Sequence, residues 1–338
     1  YALLTGEMDS GKIEEQKQVF LQKTTSTLVQ EGELMGCIDL TAPLRLRCIM
    51  DYACSADFDK KARNYISQAA DNNQKMYALV TFAANEGEAV LIERKIQDMI
   101  SANPSTTVVF IDTSRTPLGA KAHNEWAENK ATSAYMAGKD NDSSRQFNTY
   151  AANVLNTWRE NITQFRVYTG SMPTGETAVS REALTTLLQI ENRRRFPLGL
   201  ENYSVHDPMW QSNIMSAGAE CGATQKLAST YAKDTRVDGK KMYLLEYCLE
   251  QAWGIDEYWK KSPSLQISKI KIAIEELIER AFDERGNISI REIYEKMKEP
   301  PYGFMPSNMA AFVIGFLLKE YVLDGKYTWR CEETSDQL

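Results

Sequence analysis

The sequence predicts an α/β core followed by a mostly helical region, with a winged-helix-like domain at the C-terminal end. Three observations carry this. Met76 to Phe82 and Thr107 to Ile111 are short apolar runs that read as buried strands, and the helical period Glu88 to Ile100 between them makes a parallel βαβ crossover. Beyond Pro117 and Gly119 the pattern becomes helical. After Ser262-Pro263-Ser264 a fresh series begins, ordered helix, strand, helix, helix, hairpin.

In chain order, the polar segment Lys12 to Gln30 has Val19, Phe20 and Leu28 as its apolar points and reads as an exposed leading helix that ends near Gly32. Cys37-Ile38-Asp39-Leu40 reads as extended chain. Leu44, Leu46, Ile49 and Met50 then form an amphipathic segment, with Pro43 in its first helical turn. In the Glu88 to Ile100 helix, Val90, Leu91, Ile96 and Ile100 are expected to face inward, and Asn103-Pro104-Ser105 turns the chain into the second strand.

A helical hairpin follows, from Ala122 to Ala137 and from Phe147 to Ile162, separated by the polar run Gly138 to Ser144. Phe165-Arg166-Val167-Tyr168 reads as one short strand and Met172-Pro173-Thr174-Gly175 as a loop, before a helix from Ser180 to Arg195. Met242 to Trp259 is aromatic at helical spacing, the pattern of a core rather than of a stacking surface. The last region expects helix Ile267 to Glu284, strand Ile288-Ser289-Ile290, helix Arg291 to Met297, an apolar helix Asn308 to Tyr321 and a strand Tyr327-Thr328-Trp329. Boundaries are placed at 1–32, 33–120, 121–261 and 262–338.

Composition narrows the function classes. With 338 residues the chain is long enough for two or three cores, and at 43% hydrophobic and 25% charged it is an ordinary globular sequence. A net charge of -7 repels nucleic acid at long range, so any such contact must be local. Cys37, Cys48, Cys54, Cys221, Cys248 and Cys331 contain no C-x-x-C pair and read as packed, reduced thiols of a cytoplasmic protein. No apolar stretch approaches the ~18 residues of a membrane span, and the start lacks a secretory pattern. The chain opens at Tyr1 without an initiating methionine and is expected to be a piece of a longer protein.

Gly6-Glu7-Met8-Asp9-Ser10-Gly11-Lys12-Ile13 has the G-x-x-x-x-G-K spacing of a phosphate-binding loop, with Gly6, Gly11 and Lys12 as its cofactor-binding candidates. Ile13 stands where the magnesium-holding hydroxyl belongs, and Glu7 and Asp9 oppose an anionic phosphate, so the loop reads as degenerate. Val108 to Ile111 ending in Asp112 imitates the acidic strand of the same machinery. His123 and His206 are the two histidines, too few for a zinc cluster at these cysteine spacings, and His206-Asp207-Pro208 reads as a loop start. Arg193-Arg194-Arg195 is the best basic patch: guanidinium forks suit phosphate, and cations also suit the negative end of a helix that Pro197 stops. The helix Met309 to Leu318 is nearly all apolar, so it reads as buried and not as a DNA-reading helix. No catalytic constellation and no metal site emerge.

Pro300-Pro301-Tyr302-Gly303 followed by a long apolar helix resembles the late segment of the large P-loop ATPases of bacterial phage-exclusion (BREX) systems, the BrxC and PglY group. Looser agreement precedes it in the same order, at Tyr77 to Asp112, Trp126 to Trp158, Phe165 to Tyr168 and Phe196-Pro197-Leu198-Gly199-Leu200-Glu201. Phe304-Met305-Pro306 departs from that pattern. The ATP site of that family lies ahead of the matched region, so none of its catalytic residues carries over. The resemblance implies a non-catalytic scaffold or interaction portion of an antiphage ATPase, whose partners are other defence-system proteins and double-stranded DNA. ATP and magnesium are expected only in the ATPase domain of the parent protein. The alternatives are a winged-helix DNA-binding module of a regulator and a degenerate P-loop nucleotide binder.

Overall fold

The computed structural model describes residues 9–23, 27–28, 38, 40, 44, 47–199 and 266–304. The chain divides into two compact units, Tyr1–Ile190 and Glu191–Leu338. Helix α1 spans Ser10–Leu21. The α/β layer follows as β1 (Cys48–Ala53), α2 (Phe58–Asp71), β2 (Met76–Thr81), α3 (Glu86–Ala102) and β3 (Val109–Asp112). The helical hairpin is α4 (Ala120–Met136) and α5 (Asn141–Asn161), and β4 (Phe165–Thr169), β5 (Met172–Ala178) and α6 (Arg181–Arg195) complete the run.

The five strands form one sheet in the order β1-β2-β3-β4-β5. β1, β2 and β3 are parallel, whereas β4 and β5 run antiparallel, so the expected parallel core sits within a mixed sheet. All six residues of β2 are buried, as befits a strand covered on both faces. One face receives both crossover helices: Phe58, Ala62, Tyr65 and Ala69 of α2 and Ile92, Ile96, Met99 and Ile100 of α3 close over Tyr77, Leu79, Phe110 and Tyr168. On the other face Phe82 meets Tyr52 at 5.8 Å and Trp158 of α5 at 5.7 Å, ring centre to ring centre. Each aromatic pair adds about 0.5–1.5 kcal/mol beyond its area.

Several sequence expectations are corrected. Val90 and Leu91 are 68% and 50% exposed, and the inward stripe of α3 is Ile92, Ile96, Met99 and Ile100. The amphipathic segment expected through Ile49 and Met50 enters strand β1. Met172 to Gly175 is the start of edge strand β5 and not a loop. An edge tolerates Pro173, since its outward side owes no ladder bond. The polar run before α5 is shorter than expected, because Asp140 caps the helix by accepting from the Asp142 and Ser143 amides at 3.1 and 3.2 Å.

In the second unit the described helices are α7 (Gln266–Arg285) and α8 (Ile290–Met297). The strand expected at Ile288 to Ile290 is a helix N-cap instead: Ser289 accepts from the Glu292 amide at 3.2 Å and Ile290 opens α8. Ile270, Ile274, Ile278, Ile293 and Met297 are buried, as are Phe196 and Phe304. Two segments about a hundred residues apart meet here, because the Leu198 amide donates to the Pro301 carbonyl at 3.0 Å. The chain then reverses through Gly303, at φ +59, and the Phe304 amide returns to the Met297 carbonyl at 2.7 Å. The extended chain expected at Cys37 to Leu40 falls largely outside the described residues. The aromatic helix Met242 to Trp259, the linker at 262–264, the apolar helix Asn308 to Tyr321 and the strand Tyr327 to Trp329 lie wholly outside them.

Two glycines give stability predictions. A Cβ on Gly170 would sit 2.5 Å from the Pro104 carbonyl oxygen and 2.8 Å from that of Thr106, which are backbone atoms unable to yield cheaply. Gly170→Ala is expected to destabilise the first unit by about 1–3 kcal/mol, read as a lower urea midpoint. An unchanged midpoint would show that the 104–106 turn does not press on the β4–β5 turn. In the second unit, Gly303→Val should cost on the order of 1–3 kcal/mol through left-handed backbone strain. The readout is faster hydrogen exchange at the Phe304 and Leu198 amides with the β2 amides unaffected. Equal exchange in both proteins would contradict the strained turn.

Candidate functional site

Open α/β sheets bind ligands beyond the carboxyl ends of their parallel strands, so the ends of β1, β2 and β3 are the first place to look. Alternation puts Thr81 two residues beyond Leu79 and Asp112 two beyond Phe110, on the face that α2 and α3 cover. There the Thr81 hydroxyl donates to Asp112 Oδ1 at 2.9 Å, and the Ser114 amide donates to the same oxygen at 2.9 Å. The Thr113 hydroxyl donates to the Thr81 carbonyl at 2.6 Å. Asp112 is 2% exposed, and Thr81, Thr113 and Ser114 are buried with it.

Burial pushes the Asp112 carboxyl above the usual carboxylate range, and the Glu93 charge adds to this. The hydrogen bonds from Ser114 and Thr81 oppose it. An ion withdrawn from water without donors would be far costlier, which is why this carboxyl is ringed by hydroxyl and amide groups.

The chain then runs beside the end of β2. The Thr113 amide donates to the Thr81 carbonyl at 3.1 Å, the Leu118 amide to Ala83 at 3.0 Å and the Gly119 amide to Ala84 at 2.9 Å. From below, the Trp158 indole donates to the Thr116 carbonyl at 2.8 Å. Residues Thr113 to Gly119 therefore run beside the carboxyl end of β2, held to Thr81, Ala83 and Ala84 by backbone hydrogen bonds.

The neighbouring polar groups are engaged with the fold as well. Glu88, in the first turn of α3, accepts from the Ala84 amide at 2.6 Å and from the Ser55 amide and hydroxyl at 3.1 and 2.7 Å. It ties the ends of β1 and β2 to the helix N-terminus, where an anion is favoured. Glu93 of α3 accepts from Arg166 Nη1 at 2.5 Å and from the Tyr168 hydroxyl at 3.3 Å, and Arg166 Nη2 reaches the Thr174 carbonyl at 2.7 Å. Arg166 and Asp112 are register partners across β3 and β4, yet the guanidinium turns to Glu93. Burial and the Glu93 charge push the Tyr168 hydroxyl well above its ordinary range.

Of the residues singled out in the sequence, Gly6 lies outside the described residues. Gly11 and Lys12 are in the first turn of α1, where Asp9 caps the helix and accepts from the Lys12 amide at 3.3 Å. The Lys12 ammonium is 3.5 Å from Asp9, with its side chain 70% exposed. Among the described residues no contact joins Lys12 to Asp112. Arg193, Arg194 and Arg195 form the last turn of α6, as expected, but they diverge. Arg193 and Arg194 are exposed, with Glu191 at 3.8 Å from Arg194, whereas Arg195 is half-buried and lies over the Phe196 ring at 5.3 Å. Two of the three are thus exposed to solvent.

His123 sits in the first turn of α4 beside Trp126, and burial lowers its pKa. His206 lies outside the described residues. Cys48 and Cys54 are reduced thiols, and burial pushes Cys48 up to about 12, which leaves it unreactive at neutral pH. Among the described residues no group of three or more His, Cys, Asp or Glu is placed to hold a metal ion. No helix among them is long and apolar enough to cross a membrane.

Thr81, Ser114, Glu88 and the Glu93–Arg166–Tyr168 group were not singled out in the sequence. The Asn85-x-x-Glu88 spacing was a legible signal, since Asn85 caps α3 by accepting from the Glu88 amide at 2.9 Å.

The raised Asp112 pKa has a defined sign. Ionising this carboxyl costs more in the folded chain than in the unfolded one, so its contribution to stability is full below the unfolded value near ~3.9 and is lost as pH rises through the folded value. Asp112→Asn retains an acceptor for Thr81 and Ser114 but cannot ionise. Its stability relative to wild type should therefore climb as pH rises from about 4 and then level off. Urea unfolding across that range reads the difference, and a difference that falls with rising pH would show that the folded site favours the ionised form.

No family model, curated protein or solved structure matches this chain.

Proposed function

We propose that this chain is a non-catalytic scaffold and interaction portion of a bacterial antiphage ATPase of the BREX type. The observation that carries the reading is the engagement of the polar groups at the strand ends: Asp112 is spent on Thr81 and Ser114, Glu88 on Ala84 and Ser55, and Thr113, Leu118 and Gly119 bond to the chain that leaves β2. Polar groups so engaged hold elements together and are not poised toward a reactant. The resemblance at Pro300 to Gly303 and at Phe196 to Gly199 supplies the family, and the meeting of those segments through Leu198 and Pro301 supports treating them as one structural unit.

On this reading ATP and magnesium belong to the ATPase domain of the parent protein, and the partners are other proteins of the defence system. The compartment is the cytoplasm. The winged-helix-like end proposed for 262–338 takes α7 and α8 as its first two helices, and its later elements lie outside the described residues. Duplex DNA is a second partner, favoured by Arg193 and the 60% exposed Arg194 at the end of α6. Exposed guanidinium groups at a helix end meet phosphates without reading bases.

Purified chain is expected to show no ATP hydrolysis and no nuclease turnover. Activity that Asp112→Asn abolishes without unfolding the protein would overturn the scaffold reading. For DNA, anisotropy titrations against a duplex at low and moderate salt should show weak binding with a shallow salt dependence. Arg193→Ala/Arg194→Ala should reduce the log-log slope by on the order of 0.9 for each phosphate no longer neutralised. Absence of binding at both salts would reject the DNA partner and leave the protein partners.

A further inference from the structure

Helix α1 buries none of its residues, and Val19 on it faces solvent. Among the described residues its named contacts with other elements fall on α4, at three levels. The Asp9 amide donates to the Tyr135 hydroxyl at 3.1 Å, the Lys17 ammonium meets Glu128 at 3.2 Å, and the Phe20 ring stands edge-on to Trp126 at 5.8 Å. Residue numbers rise along α1 as they fall along α4, so the two helices lie antiparallel.

Among the described residues, three buried polar atoms of these two helices have no hydrogen-bond partner. Trp126 is 0% exposed, yet its indole Nε1 has no hydrogen-bond partner. The same holds for His123 Nε2, whose ring centre lies 5.9 Å from that of Trp126, and for Gln16 Oε1, one turn before Phe20 on α1. A buried donor or acceptor left unpaired gives up its full hydration without return, which is why folded proteins hold few of them. Against this stand the full burial of Trp126, its aromatic contact with Phe20, an ion pair in which Lys17 is mostly covered and Glu128 largely in solvent, and one exposed hydrogen bond. Water substitutes for the exposed hydrogen bond at little cost.

We infer that α1 is a releasable strap: it lifts from α4 as a unit while the sheet and the α4–α5 hairpin stay folded. Release gives the Trp126 N–H, the His123 ring nitrogen and the Gln16 carbonyl back to water, which offsets part of the cost of parting Phe20 from Trp126 and wetting the indole. The covered face of α4, with Trp126 at its centre, is then open. The strap is a property of the first unit and does not rest on the proposed function.

Hydrogen exchange by NMR on the intact chain tests this. The hydrogen-bonded amides of α1 should exchange with one shared opening free energy, at least on the order of tenfold faster than the amides of β2. The Trp126 indole N–H should exchange with that same opening, since release of α1 is what exposes it. Gln16→Met removes the orphaned acceptor at nearly constant volume and should slow both sets together, while Phe20→Ala should speed both. An indole N–H that exchanges only with the β2 amides would overturn the strap, as would α1 amides that fray progressively from one end. A Gln16→Met protein whose α1 exchanges no more slowly than wild type would do the same.

Discussion

A carboxylate inside a protein must be ringed by donors or give up its charge, and the placement of Asp112 imposes that requirement on the whole centre of the first unit. Thr81 must lie on the same face of β2, and the chain must turn immediately so that the Ser114 amide reaches back. That turn commits Thr113 to Gly119 to a path beside the end of β2, where Leu118 and Gly119 bond to Ala83 and Ala84. Thr116 then receives the Trp158 indole of α5, and Gly119, at φ +84, launches α4. The helical hairpin is thereby fastened to the sheet by the segment that satisfies the carboxyl.

A second constraint explains why an antiparallel hairpin can extend a parallel sheet here. β4 brings Arg166 and Tyr168 to the helix face, where Glu93 of α3 takes both. A Cβ on Gly175, at φ +75, would lie 2.6 Å from the Tyr168 ring, so only glycine lets β5 pass this closely over it. Hydrogen bonds to charged groups are worth about 1.5–3 kcal/mol when kept from water, and this cluster is only half-shielded, so its contribution is to orientation as much as to stability. In the second unit the equivalent task falls to backbone, with Leu198 held to Pro301 and Phe196 and Phe304 both buried.

How much was legible in the sequence follows from how strongly each element signals its burial. β2 and β3 are continuous apolar runs with turn residues at their ends, and they fold as read. α3 was legible as a helix but its phase was not, because Val90 and Leu91 are as apolar as the residues that face the core. The true stripe recurs at 92, 96, 99 and 100. α2 was missed since two of its four buried positions are alanines, Ala62 and Ala69, a faint signal beside Phe58 and Tyr65. β1 and β5 are edge strands with one side unpaired, so Asp51, Pro173 and Gly175 are tolerated and blur the alternation. At the candidate site Asp112 was visible as the acid ending an apolar strand. Its partner Thr81 was not, since it comes from the neighbouring strand and only the register of β2 against β3 brings it alongside, whereas Ser114 reaches Asp112 through the turn that follows β3.

On the proposed reading the carboxyl ends of the parallel strands are occupied by the chain's own groups, which makes this region a framework for its neighbours and not a seat for a reactant. A crystal structure of the purified chain, determined with magnesium and a slowly hydrolysed ATP analogue at saturating concentration, tests it most directly. The expected result is Thr113 to Gly119 in place beside the end of β2, with Asp112 still bonded to Thr81 and Ser114. A displaced loop with magnesium or phosphate against Asp112 would contradict it.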